Sequence, residues 1–92
     1  MRTKWTVQQW IDYAEKGNND LCGANLEGAN LRGASLEGAT LWYSNLEGAD
    51  LREANLRLAN LEGANLKGAR LEGADLVWAT LLGANLEGAK LR

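Results

Sequence analysis

Ala24-Asn25-Leu26-Glu27-Gly28 decides the fold, because the chain restates it almost without interruption: Ala29-Asn30-Leu31-Arg32-Gly33 follows directly, and Ala64-Asn65-Leu66-Lys67-Gly68 comes further on. Leucine occupies every fifth position from Leu21 to Leu91, fifteen times in succession. Alanine precedes it by two residues throughout, except at Asn19 and Ser44, and the residue between them is usually Asn, Asp, Ser or Thr. Glycine most often follows the leucine by two. Self-similarity at a fixed short period is the signature of a repeat architecture and outranks other sequence signals.

A period of five suits neither regular element. On an α-helix, successive leucines would fall about 140° apart and wind around the cylinder. On a flat strand, odd spacing would send them to alternate faces. The period works if each five-residue unit is one short side of a coil that bends at glycine, with every Leu and the Ala two before it pointing inward. If four sides close one turn, residues i and i+20 stack at the roughly 4.8 Å spacing of paired strands. Asn25, Asn45, Asn65 and Asn85 then form one outward column, and Gly28, Gly48, Gly68 and Gly88 another. The stacked amides are expected to hydrogen-bond along the column. Arg32, Arg52, Arg70, Lys90 and Arg92 gather on a further face, interleaved with Asp50, Glu53 and Glu72, which reads as a solvated, ion-paired surface.

These residues carry a resemblance: over about residues 19–92 the sequence is similar to the pentapeptide-repeat family. The resemblance implies an all-β solenoid, a right-handed quadrilateral parallel β-helix with a filled interior. Leu21 through Leu91 would be its central inward residues and Ala24 through Ala89 the smaller inward ones. About four coils, roughly 3.75 from fifteen units, at about 4.8 Å each make a rod near 18 Å long. Arg70 and Lys90 replace the usual Asn or Asp at an outward position, so they are expected to change surface charge only.

The first 18 residues read as an N-terminal capping helix, and residues 19–92 as the single β-helical domain. Thr6 is an N-cap with Gln9 three residues later, a capping box, and Trp5 and Trp10 occupy hydrophobic-staple positions. Gly17 is the expected stop. Val7, Trp10, Ile11 and Ala14 make one apolar face, expected to lid the first coil, since solenoid ends need covers. The far end has no comparable lid. Leu76, Leu81, Leu86 and Leu91 are expected to lie open there, and an end-to-end homodimer through this coil would cover them.

Ten Lys and Arg against twelve Asp and Glu give a net charge of -2, too balanced to announce a nucleic acid or an anionic membrane as partner. The chain has no His and one Cys, so the commonest general base, the commonest metal ligand and an intrachain disulfide are all missing. No catalytic residue, cofactor or metal site is expected, and Cys22 reads as an inert reduced thiol near the cap. The start lacks the apolar run of a signal peptide and no stretch reaches the length of a membrane span, which points to the cytosol. The informative irregularities are outward: Trp42 and Tyr43, Leu58, Val77 and Trp78, and Leu82 stand where charged residues or glycine are usual. By the twenty-residue stacking they fall on two edges of one face, which reads as a protein interface with Trp42 and Trp78 as anchors. The function expected is therefore a non-catalytic structural or protein-interaction module. The family resemblance implies an alternative, a DNA mimic that binds or inhibits a type II topoisomerase. Residues 19–92 carry ten acidic and seven basic side chains, whereas duplex DNA over the same length would carry on the order of ten charges of one sign.

Overall fold

In the unit Asn45-Leu46-Glu47-Gly48-Ala49 every backbone N–H has an acceptor, and the five bonds together define the coil. Asn45 N–H donates backward to the Ala24 carbonyl at 2.8 Å, while Leu46 and Gly48 donate forward to Asn65 and Lys67 at 2.7 and 2.8 Å. Ala49 N–H closes a tight turn onto the Leu46 carbonyl at 3.0 Å. The remaining donor, Glu47 N–H, is taken by the Asn45 side-chain Oδ1 at 3.1 Å. This last bond explains the preference for Asn or Asp before each leucine: a short carbonyl-bearing side chain caps the turn two residues on. The same bond recurs from Asn25, Asn30, Asp50, Asn55, Asn60, Asn65, Asp75 and Asn85. The expected amide ladder is correspondingly sparse. Within the column of Asn25, Asn45, Asn65 and Asn85, one direct amide link forms, Asn65 Nδ2 to Asn45 Oδ1 at 3.4 Å.

The computed structural model describes residues 4–92; Met1, Arg2 and Thr3, included above in the 1–18 segment, lie outside the described residues. Residues twenty apart pair in parallel through eleven isolated bridges, from Asp20 with Thr40 to Arg70 with Lys90. Each side contributes a single bridged residue before the chain turns, so the rungs do not extend into continuous strands. The third turn residue requires a left-handed backbone, which glycine adopts without steric penalty. Gly48, for example, has φ 68°. Four such positions are filled by other residues: Tyr43, Glu53, Leu58 and Trp78, with φ between 54° and 65°. Three of these are among the irregularities seen in the sequence; Glu53 was not singled out there.

The interior is solid. Leu41, Leu46, Leu51, Leu56, Leu61 and Leu66 are all at 0% exposure, and the alanines from Ala39 to Ala69 pack between them. Ser44 stands among those alanines, fully buried, and its hydroxyl has no partner among the described residues.

One helix precedes the coils, α1 (Val7–Glu15). Its start follows the sequence signals. Thr6 Oγ1 accepts from Gln9 N–H at 3.2 Å, and Gln9 Oε1 accepts from Thr6 N–H at 2.8 Å. The Trp5 and Trp10 rings meet at 4.8 Å, as a staple requires. Gly17 ends it with φ 90°, donating to the Ala14 carbonyl at 2.9 Å. Trp10 belongs to the same buried cluster as the leucines, and Trp5, Val7, Ile11, Tyr13 and Ala14 pack against it.

Candidate recognition surface

Tyr43, Leu58 and Trp78 take their positions from the turn that every repeat makes. Each occupies the left-handed corner of its unit, and Tyr43 and Leu58 keep the forward ladder bonds to Glu62 and Val77 at 2.9 and 3.0 Å. A non-glycine residue in this conformation costs about 1–2 kcal/mol. Burial does not offset that cost: Tyr43 is 67%, Leu58 57% and Trp78 78% exposed.

The sequence-derived edges exist as columns. One edge stacks Leu58 and Trp78, with Val77 beside Trp78; the other stacks Trp42, Glu62 and Leu82, with Tyr43 next to Trp42. Between them run Thr40, Asn60 and Thr80, bridged in turn, with Thr80 Oγ1 donating to Asn60 Oδ1 at 3.0 Å. The strip is uncharged over Thr40, Asn60 and Thr80, although its column begins at Asp20; Glu62 stands on one rim, and Glu37 and Arg57 share the column of Val77 on the other. The two rims are not brought into contact. Among the described residues, the ring pairs all belong to the Trp5, Trp10 and Tyr13 cluster under α1. Tyr13 was not among the apolar positions chosen from the sequence, because it lies outside the narrow stripe of Val7, Trp10, Ile11 and Ala14.

The basic face is paired as its alternation suggested. Arg52 grips Asp50 through two bonds of 2.8 and 2.7 Å, Arg70 reaches Glu72 at 3.5 Å, and Arg32 approaches Glu53 at 3.8 Å. The Arg52 guanidinium holds the Asp50 carboxyl far below the usual carboxylate range. On the next face Arg57 pairs with Asp75 at 3.3 Å. Asp75 is lowered first by the Val77 backbone N–H and then by Arg57. Arg70 thus does more than alter charge, since it replaces an Asn-type cap with an ion pair. Cys22 is an exposed thiol at the first turn. Among the described residues no cluster of His, Cys, Asp or Glu could hold a metal ion, and no helix is long and apolar enough to cross a membrane.

At the C-terminal end Leu76 and Leu81 are half-buried, and Leu86 and Leu91 are exposed.

The sequence profile described as Pentapeptide repeats matches residues 18–52 and 54–92, in eight copies. The chain is a pentapeptide-repeat protein. Such proteins form right-handed quadrilateral β-helices, and the family consists in general of structural repeat proteins and not of enzymes. Among solved structures, the chain is similar to a pentapeptide repeat protein from the thylakoid lumen of Arabidopsis thaliana, at 44% identity and TM-score 0.75, over 76% of this chain and 49% of that one. It is also similar to one from the cyanobacterium Cyanothece 51142, at 40% identity and TM-score 0.69, over 79% and 54%. A third, from Nostoc PCC 7120, is 41% identical with TM-score 0.58, over 95% and 76%. The chain spans about half the length of the first two. No curated protein sequence matches it significantly.

Proposed function

We propose that this pentapeptide-repeat protein is a non-catalytic recognition rod that binds another protein through the strip rimmed by Trp42, Tyr43 and Leu82 on one side and Leu58, Val77 and Trp78 on the other. One observation carries the reading: three corner positions on this face hold exposed apolar side chains in a strained backbone that glycine would adopt freely. Strain of this kind clusters at functional sites; the fourth such corner, Glu53, lies on the ion-paired face and not on the strip. Large rigid aromatics are the usual anchors of protein interfaces, with charged residues such as Glu62 and Arg57 placed at the rim. In this reading the rod has about four coils, α1 lids the first of them through Val7, Trp10, Ile11 and Ala14, and two copies associate end to end over Leu76, Leu81, Leu86 and Leu91. Cytosolic residence belongs to the same proposal, although the fold does not dictate a compartment, since one relative is lumenal. The DNA-mimic alternative is not favoured, because Arg52, Arg57 and Arg70 are interleaved with the acidic side chains instead of being excluded from the surface.

The test is quantitative co-purification with the wild-type chain and with a Trp42→Ala, Trp78→Ala variant of equal thermal stability. A stoichiometric protein partner lost only from the variant is the expected result. Retention of every partner by the variant would remove the aromatic strip from the account. Sedimentation equilibrium gives the end-to-end dimer its own test, and a monomer at high concentration would dismiss it.

A further inference from the structure

Inside the rod, an outward residue such as Asn45 bridges a neighbour on either side, Asn25 before it and Asn65 after. Asn30 and Ser35, in the first coil, bridge forward only, to Asp50 and Asn55. Among the described residues, their N–H groups find no acceptor, whereas the equivalent N–H groups of Asp50 and Asn55 donate to Ala29 and Ala34. The carbonyls of Asn30, Arg32, Ser35 and Glu37 likewise receive no donor, while those of Asp50, Arg52, Asn55 and Arg57 are taken by Leu31, Gly33, Leu36 and Gly38. The result is a one-sided row of two donors and four acceptors with the spacing of a parallel ladder.

Helix α1 packs on the buried cluster through Trp10 and leaves this row, at the margin of the coil, uncovered. A cleft of about 430 Å³ separates Ile11, Ala14 and Glu15 from Leu31, Ala34 and Leu36. Leu31 and Leu36, at 4% and 3%, are the most exposed of the buried leucines. Twenty residues before Asn30 and Ser35 the chain is helical, at Trp10 and Glu15, so the positions that would supply a preceding rung supply none.

We propose that this rim is a docking site for an extended polypeptide segment, which adds in parallel as the missing rung and directs one leucine-sized side chain over Leu31 or Leu36 into the cleft. The unpaired groups set the chemical class. A ligand in register must offer two N–H donors and one carbonyl acceptor per side at strand spacing, which an extended peptide backbone does. The walls set the side chain: Ile11, Ala14 and Ala34 line an aliphatic patch over the nearly buried Leu31 and Leu36, while Glu15, Asn19, Arg32 and Glu37 make the rest of the cleft polar, and the inward leucine of each repeat already makes this apolar contact one coil further along. The site is remote from the aromatic strip and does not depend on it.

The probe is the chain's own repeat as a free peptide, acetyl-Ala-Asn-Leu-Glu-Gly-amide, titrated into the isotopically labelled full chain and followed by amide NMR. Saturable shifts centred on Asn30 to Glu37, with slowed hydrogen exchange at Asn30 and Ser35, are expected. A peptide N-methylated at its leucine loses one donor and should bind about tenfold more weakly, the equivalent of one hydrogen bond. The Trp42→Ala, Trp78→Ala variant should bind the peptide as the wild type does. Absence of saturable shifts, shifts centred on the last coil instead, or equal binding of the N-methylated peptide would each overturn the proposal.

Discussion

The Tyr43 ring lies over Gly63, one coil further along, in the space that a Cβ at position 63 would occupy. Gly63 and Gly48 share the same left-handed backbone, with φ 68° at both, but a Cβ at Gly48 would meet nothing within 4 Å. Gly48→Ala therefore isolates the backbone effect: a left-handed penalty of about 1–2 kcal/mol, less the roughly 0.5–1 kcal/mol that alanine recovers through the unfolded chain. Gly63→Ala adds displacement of the Tyr43 ring from its rotamer, about 1 kcal/mol more. Urea unfolding of both variants measures the difference, and Tyr43→Ala should abolish it. Equal losses at the two glycines in the wild-type background would mean that the ring moves aside freely.

Trp78→Gly should raise stability while removing an anchor of the proposed recognition strip. The left-handed corner is relieved by about 1–2 kcal/mol, and the extra freedom of glycine in the unfolded chain takes back roughly 0.5–1 kcal/mol. At 78% exposure the indole has little burial to lose. The expected net is a gain of up to about 1 kcal/mol in urea unfolding, together with weaker partner binding. A clear loss of stability would show that Trp78 packs on the rod and would undercut the reading of this corner as strained for recognition.

The rod was legible because its determinant is local and repeated. The spacing of Leu21 to Leu91 dictates the inward column, and the twenty-residue stacking follows from closing four sides. The helix start was legible for the same reason: Thr6, Gln9, Trp5 and Trp10 act within one turn. The role of Asn and Asp before each leucine was missed as a turn cap, although the sequence carried the signal of a short carbonyl side chain two residues before a corner. The strain at Tyr43, Leu58 and Trp78 was visible only as a break in the glycine column, since the sign of φ at each corner needs coordinates. The cleft beside α1 was not legible at all. It depends on how the helix packs on the first coil, a tertiary arrangement that no local pattern encodes.

Ser44→Ala should stabilise the protein. Ser44 occupies an inward alanine position at 1% exposure, with its hydroxyl unpaired. Replacing it restores the repeat and removes a desolvated polar group, for a gain of about 1 kcal/mol. For a chain of this length such a gain raises the melting temperature by about 4–8 °C. An unchanged or lower melting temperature would indicate that the hydroxyl finds a partner in solution.

Stability should fall on acidification below the ordinary carboxylate range. Asp50, Glu72 and Asp75 are all held below their usual values in the folded chain, Asp50 by the Arg52 side chain, Glu72 by its own backbone N–H and Arg70, and Asp75 by the Val77 N–H and Arg57. A carboxylate lowered in the native state binds fewer protons there than when unfolded, so its contribution is complete above about pH 5 and is lost as pH falls through the native value. Melting temperature should therefore be level from pH 7 to about pH 5 and decline from there toward pH 2. Asp50→Asn keeps an Oδ1 to cap Arg52 N–H but removes the titrating charge, and it should flatten part of the acid decline while lowering the neutral plateau. Because these groups are only partly buried, salt at about 1 M should shrink the difference between variant and wild type. A wild-type profile that rises between pH 5 and pH 3, or an Asp50→Asn profile parallel to it, would contradict this assignment.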